Sequence, residues 1–280
     1  MKQQFQFCGT RYQICAQHPI ELGGDLELFR STGEADVTLT CRTVEKPEPV
    51  GELLGEQKGK SAWRDGEIIQ RCVLSDAGRK PYAILRYRAD GREQVELSAR
   101  QQEWEWLKGL QFWIAAQFPQ LLLHHGAVMF HASYIDAGGQ GILFTAPSQT
   151  GKSTQAELWR MYRGAEILNG DKAGVTPGPE GAVVHSLPFS GTSGICKNRS
   201  LPLRAVVVLS QAPENTVRRL GPAEAAASLC GNIFADKLVQ EEWTMALNLL
   251  LDLIACVPVY HLACTPDVRA VEILKEAFDH

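Results

Sequence analysis

Lys152 and Ser153 close a segment, Gly141 to Thr154, that reads GILFTAPSQTGKST. An apolar run leads into a turn-rich loop, and Gly-Lys-Ser opens what reads as a helix. That order suits a phosphate tail: a buried strand holds the loop, and successive backbone N–H groups wrap the phosphate oxygens. Lys152 would bring a compact positive charge to the β and γ phosphates, and Ser153 would offer its hydroxyl to Mg²⁺. The nucleotide-binding set is therefore Ser148, Gln149, Thr150, Gly151, Lys152, Ser153 and Thr154, with ATP and Mg²⁺ as the expected ligands. The usual pattern begins with glycine where this chain has Ala146, followed by Pro147. Alanine fits there if the bend stays in the β or right-handed helical region.

Two residues flank the loop: His131, 21 positions before Lys152, and Asp171, 19 positions after it. His131 opens an apolar segment expected to pair beside the loop strand, which would put its imidazole at the phosphate edge. A hydrogen-bonded core histidine is the alternative. Asp171 follows a short strand, EIL, where a carboxylate can reach Mg²⁺ or take a proton from an attacking hydroxyl. A turn or capping aspartate is the other reading. Together they make a phosphoryl-transfer set: Asp171, His131 and Lys152 in catalytic roles, Ser153 and Asp171 on the metal.

Leu187 to Arg204, LPFSGTSGICKNRSLPLR, is rich in Gly, Ser and Thr with basic residues interleaved. It reads either as a substrate loop, with Ser190, Gly191, Thr192, Lys197 and Arg199 near the γ-phosphate or acceptor, or as a plain surface loop. His124 and His125 do not make a metal pair, because adjacent residues on a strand point to opposite faces and no Cys or His partners stand at ligand spacing.

With these residues in view, the chain resembles the HPr kinase/phosphorylase group, which shares a core with the phosphoenolpyruvate carboxykinases. The motifs that carry the likeness are His131-Ala132, the strand ILFTA, PSQTGKS, Arg163-Gly164 and Gly170-Asp171. It covers roughly residues 121 to 280, is strongest from His131 to Val175, and concerns the catalytic domain alone. The resemblance implies an ATP-dependent kinase whose carboxylate deprotonates an acceptor serine, and an assembly of several copies. It also implies two adjacent acids where this chain has Asn169-Gly170-Asp171, so Asp171 must act alone, and the reverse phosphorylase reaction is placed in doubt.

The elements that must position these groups follow from periodicity. Up to about Ser98, short apolar stretches alternate with turns, including Asp90-Gly91 as a hairpin signal, so this half should be mostly antiparallel β. Gln101 to Gln117 changes to helical spacing, with Trp106, Leu110, Trp113, Ile114 and Phe118 able to share one face. Its tryptophans read as core packing rather than a stacking surface. Strands and helices then mix, with a helix from about Lys152 to Tyr162, helical spacing near PAEAAASLCGNIF and EEWTMALNLLLDLIAC, a strand VPVYHLA, and a closing amphipathic helix over Asp267 to Phe278. The expected fold class is α/β (α+β): a β-rich domain over 1–100, a connecting helix over 101–118, and a mixed-sheet P-loop kinase-like domain over 119–280.

Composition narrows the partners. With 28 basic against 32 acidic residues the net charge is −4, and no Lys/Arg block stands out, which argues against nucleic acid. The eight cysteines include no CxxC pair, and several sit in apolar runs, which reads as reduced and cytoplasmic. MKQQFQFCGT has no signal-peptide core, and no apolar run nears the roughly 20 residues of a membrane span. Two functions remain. One is a Mg²⁺-dependent kinase acting on a hydroxyl of a protein, peptide or small molecule. The other is a nucleotide-binding protein whose β-rich half recognises a peptide or protein partner. Decarboxylation of oxaloacetate, suggested by the wider superfamily, lacks the additional metal-binding His and Lys residues.

Overall fold

The computed structural model describes residues 1–75, 80–89, 93–147 and 149–279. Asp90 and Gly91 of the hairpin signal, and Ser148 of the loop, lie outside the described residues. The chain forms two compact units: residues Met1–His125 with Ala235–Thr244, and Gly126–Phe234 with Met245–His280. The first unit therefore runs past residue 118 and takes in a second, later segment.

That unit is built on eight strands: β1 (Lys2–Phe7), β2 (Thr10–Ala16), β3 (Val37–Val44), β4 (Glu52–Gln57), β5 (Lys60–Asp65), β6 (Ile68–Leu74), β7 (Pro81–Arg88) and β8 (Gln94–Arg100). Their order is β1-β2-β3-β8-β7-β6-β5-β4. Pairing is antiparallel except on both sides of β3, which lies parallel to β2 and to β8. The antiparallel expectation therefore holds away from β3, whose two neighbours require long connections.

The single helix expected over 101–118 is instead three short pieces: a 3₁₀ turn (Gln101–Trp106), α1 (Leu110–Ala115) and α2 (Phe118–His124). Gly109 breaks the run at φ 48, ψ −123, and Gln117 takes a left-handed conformation just before Phe118-Pro119. Separate pieces need not share one face. Trp104, Trp113 and Phe118 are buried, whereas Trp106 is 76% exposed and Leu110 53%. Trp113 and Phe118 meet edge-on at 4.8 Å and Phe7 packs on both, so the aromatics serve the core as expected, Trp106 excepted.

His124 closes α2 rather than lying on a strand, so the opposite-face argument does not apply to it. Its Nε2 lies 2.9 Å from Glu242 Oε1. Glu242 also takes hydrogen bonds from Tyr87 and, at 2.5 Å, from Arg71, whose guanidinium additionally pairs with Asp236. Burial pushes the Glu242 carboxyl up, but the His124 hydrogen bond and the Arg71 charge prevail and hold it below the usual carboxylate range. These buried pairs fasten the 235–244 segment to the sheet of the first unit.

The second unit contains β9 (Val128–Asp136), β10 (Gly141–Thr145), β11 (Glu166–Asn169), β12 (Lys172–Gly178), β13 (Gly181–Ser186), β14 (Ser200–Gln211), β15 (Thr216–Arg219) and β16 (Val259–Cys264). Its helices are α3 (Lys152–Arg163), α4 (Pro222–Cys230), α5 (Gln240–Cys256), which starts in the first unit, and α6 (Val268–Phe278). The sheet order is β10-β9-β12-β13-β14-β16-β15, with β11 on β9 and β10 also pairing β14. β14 has a parallel neighbour on each side, β10 and β16, and its residues Ala205 to Val207 are fully buried, as an interior parallel strand requires. One face of these strands packs on α3 and α6 through Phe144, Trp159, Val207, Leu262 and Leu274. α3 ends at Gly164, left-handed at φ 67, and Asp267 caps α6 by accepting from Arg269 N and Ala270 N. The fold class is thus mixed α/β, as expected.

Candidate active site

β10 delivers the chain to the loop that ends in Gly151, and α3 carries it away. Ala146 is buried and keeps a negative φ, so the missing glycine costs no strain. Positive φ falls instead at Gln149 (φ 64) and Gly151 (φ 117). A β-carbon added to Gly151 would meet no atom within 4 Å, which leaves its backbone open to a ligand. Thr150 is half-buried, and Ser153 and Thr154 stand exposed in the first turn of α3. Lys152 is only 8% exposed and donates to Ala146 O at 3.0 Å and Pro147 O at 3.3 Å. Burial lowers its pKa, against the opposing pull of the Asp171 carboxylate.

β9 runs antiparallel beside β10, and Thr145 fixes the junction by donating to His131 O at 2.9 Å. His131 stands opposite Lys172, its partner in the β9–β12 ladder. Asp171, just before β12, places Oδ1 3.5 Å from His131 Nε2 and Oδ2 in an ion pair with Lys172. His131 has its pKa lowered by burial and by the Lys152 charge, with Asp171 pulling it back, which favours the neutral imidazole. Phe234 stacks against the His131 ring at 6.3 Å, and the Lys172 ammonium lies 5.7 Å from the Phe234 ring centroid. His131 is thus no sealed core histidine: its side chain is 36% exposed.

Asn169 sets the turn that presents Asp171. It is fully buried, its Oδ1 accepts from the N–H groups of Asp171 and Lys172 at 3.0 Å, and its Nδ2 donates to Leu187 O at 2.7 Å. Ser133 donates to Gly170 O at 3.0 Å and ties the same turn to β9.

The segment after β13 divides. Its first part comes to the site: Gly191, at φ +56, would set a β-carbon 2.6 Å from Asp171 Cγ, and Ser190 and Thr192 flank it. Its second part does not. Lys197 pairs with Glu166, and Arg199 reaches Glu166 and Asp136, each at 2.7 Å. Asp136 lies at the far end of β9, five residues from His131, or about 16 Å at strand rise. Lys197 and Arg199 therefore join the sheet edge instead of the site.

Asn169, Lys172 and Phe234 were not singled out from sequence. Lys172 could have been, as a cation next to the candidate acid. Phe234 could not, because only the bridge between Phe130 and Ile233 brings it to β9. Among the described residues no cluster of three or more His, Cys, Asp or Glu side chains could hold a metal ion, so Ser153 and Asp171 would need nucleotide oxygens to complete a Mg²⁺ shell. No described helix is long and apolar enough to cross a membrane.

Comparisons with known proteins place the chain as follows. The HPr(Ser) kinase/phosphatase from Coxiella burnetii is similar over 53% of this chain and 95% of its own, at 12% identity and a TM-score of 0.32. A likeness that weak carries no argument about site or activity. No curated protein matches. The model of one family, the SynChlorMet cassette protein ScmC, matches residues 98–279. That span holds every residue of the loop, His131 and Asp171, and exceeds half of the chain: the protein belongs to the ScmC family.

Proposed function

We propose that this chain is an ATP- and Mg²⁺-dependent phosphotransferase resembling HPr serine kinase, acting on a seryl or other hydroxyl of a protein, peptide or small molecule. The observation that carries the reading is the meeting of His131 and Asp171, 3.5 Å apart, in the field of Lys152 at the end of the phosphate loop. The open backbone at Gly151 and the cation beside it fit a triphosphate.

In this reading Lys152 would exchange its loop carbonyl partners for phosphate oxygens, and Ser153 and Asp171 are the residues that would hold Mg²⁺. ATP with Mg²⁺ supplies the phosphoryl group and a neutralised leaving group. The acceptor oxygen bonds to the γ-phosphorus as the bridging bond to the β-phosphate breaks, and ADP leaves with the electron pair. Asp171 takes the hydroxyl proton, while neutral His131 beside it holds the acceptor oxygen or a phosphate oxygen in line.

A second reading, a nucleotide-binding protein that recognises a peptide or protein partner, gains from one observation. Asp171 is a lone acid, already paired with Lys172, and Gly170 offers no second carboxylate. Turnover separates the two readings: a binder would transfer no label from γ-labelled ATP to any acceptor, water included.

The test is thermal unfolding with ATP, Mg²⁺ and both, beside Lys152→Ala. A ligand at 100 times its Kd stabilises the folded state by about 2.7 kcal/mol. A Mg²⁺-dependent rise in Tm that the variant loses supports the site. No shift at millimolar ATP would remove both readings.

A further inference from the structure

Lys172 opens β12 directly after Asp171 and stands opposite His131 in the β9–β12 ladder. Its side chain is 16% exposed, against 49% for Lys197 at the sheet edge. The ammonium pairs with Asp171 Oδ2 and lies 5.7 Å from the centroid of the Phe234 ring. Ordering a lysine stem costs more rotamer entropy than ordering most side chains, so a carboxylate and a ring together hold this charge where a free surface lysine would wander.

Geometry confines where the charge can act. Asp171 turns Oδ1 to His131, at 3.5 Å, and Oδ2 to Lys172. A hydroxyl that gives its proton to Asp171 sits within about 3 Å of the carboxylate, and the phosphorus it attacks lies about 3–3.5 Å further on. The ammonium held by the same carboxylate can therefore swing onto the oxygens of the group in transit. Electrostatics supplies the need. Mg²⁺ and Lys152 leave a triphosphate net negative, and the Asp171 carboxylate adds to that charge. Among the described residues no group of three or more His, Cys, Asp or Glu side chains stands ready for a further divalent ion, whereas Lys172 is already in place.

We infer that Lys172 is a second phosphoryl-binding cation, whose ammonium leaves Asp171 Oδ2 for an equatorial oxygen of the γ-phosphoryl group as that group passes to the acceptor. The inference rests on the phosphotransferase reading and adds a catalytic residue to it. The acceptor oxygen bonds to phosphorus as the bridging bond to the β-phosphate breaks, ADP keeps the electron pair, and the hydroxyl proton goes to Asp171. Lys172 neither gains nor loses a proton. Its contact is made in the transition state, so it favours turnover and leaves the binding of ADP unchanged.

The experiment is calorimetric binding of ADP with Mg²⁺, with and without aluminium fluoride, which mimics the planar phosphoryl group in transit. It uses the full chain, Lys172→Gln, which keeps an N–H donor for Asp171 but no charge, and Lys172→Arg, which keeps the charge. Aluminium fluoride is expected to tighten binding about 100-fold or more in the natural chain. Lys172→Gln should cut that gain at least about tenfold with ADP affinity unchanged, and Lys172→Arg should retain most of it. A gain preserved in Lys172→Gln would overturn the role of Lys172 and leave the transfer reading standing. Loss of ADP binding itself in Lys172→Gln would also overturn it, since the residue would then be supporting the fold of the site. No gain from aluminium fluoride in the natural chain would overturn transfer and this role together, while ADP binding would still support the nucleotide site.

Discussion

Ser193 stands in the space that a side chain at position 170 would need: a β-carbon on Gly170 lies 2.2 Å from its Oγ and 2.5 Å from its Cβ. The 3₁₀ turn Gly191–Ser193 therefore packs directly on the backbone of the Asp171 turn. The chain lacks a second acid at position 170, and it has built a neighbour into the vacancy.

Gly170→Asp should consequently fail as a repair. Overpacking costs about 1–3 kcal/mol, and the 190–193 segment must move to admit the new side chain. The expected outcome is a lower urea midpoint for Gly170→Asp, largely restored by adding Ser193→Gly. A stable single variant would mean that the two segments do not press on each other.

Gly191→Ala probes the same contact from the other side. Alanine at φ +56 costs about 1–2 kcal/mol, and its β-carbon would displace the Asp171 carboxylate. A displacement on the order of 1 Å reduces turnover about 100-fold. The check is release of labelled phosphate from ATP beside the ATP-induced rise in Tm: release should fall while the rise persists. Unchanged release would remove Gly191 from the site.

Arg71→Met should destabilise the first unit by about 3–5 kcal/mol, because Glu242 would lose its buried guanidinium and Asp236 would keep only Lys60, 3.9 Å away. Adding Glu242→Gln and Asp236→Asn should recover part of the loss. Calorimetric unfolding of the three proteins decides it, and a loss below about 1 kcal/mol for Arg71→Met would show the pairs to be weak.

His185 supplies a pH dependence. Burial depresses its pKa from 6.5 to about 4, and its Nδ1 lies 2.8 Å from the Ser200 hydroxyl. Between those two values the unfolded chain binds a proton that the folded chain refuses. Its contribution to stability is thus fully present above pH 6.5 and is lost as pH falls toward 4. Urea midpoints from pH 7.5 to 4 should fall more steeply for the natural chain than for His185→Gln. Parallel curves would show that His185 protonates freely in the folded state.

Much of the second unit was legible in the residues. An apolar run before GKST must be a buried strand, and Gly-Lys-Ser after a turn must open a helix, because loop, cation and first helical turn are contiguous in the chain. His131 and Asp171 meet beside that loop through the sheet: His131 lies within β9, which neighbours the loop strand β10, and Asp171 just before β12, the strand on the other side of β9. The helix over 101–118 was misread because spacing alone does not register how Gly109 and the left-handed Gln117 cut the run. His124 was misassigned to a strand because LLLHH fits either period.

What the sequence determined alone was local: most strands and helices of the second unit, a buried strand leading through a turn into the helix that GKST opens, and that one acid of an expected pair is missing. Tertiary structure decided everything that depends on residues far apart meeting. It sent Lys197 and Arg199 to Glu166 and Asp136 while Gly191 went to Asp171, although all three lie on one loop. It brought Phe234 to the His131 ring and Glu242 to Arg71. The reason is physical: hydrogen-bond ladders and turn preferences act over a few residues, but the partner of a charge or a ring is chosen by sheet order and packing, which no local pattern encodes.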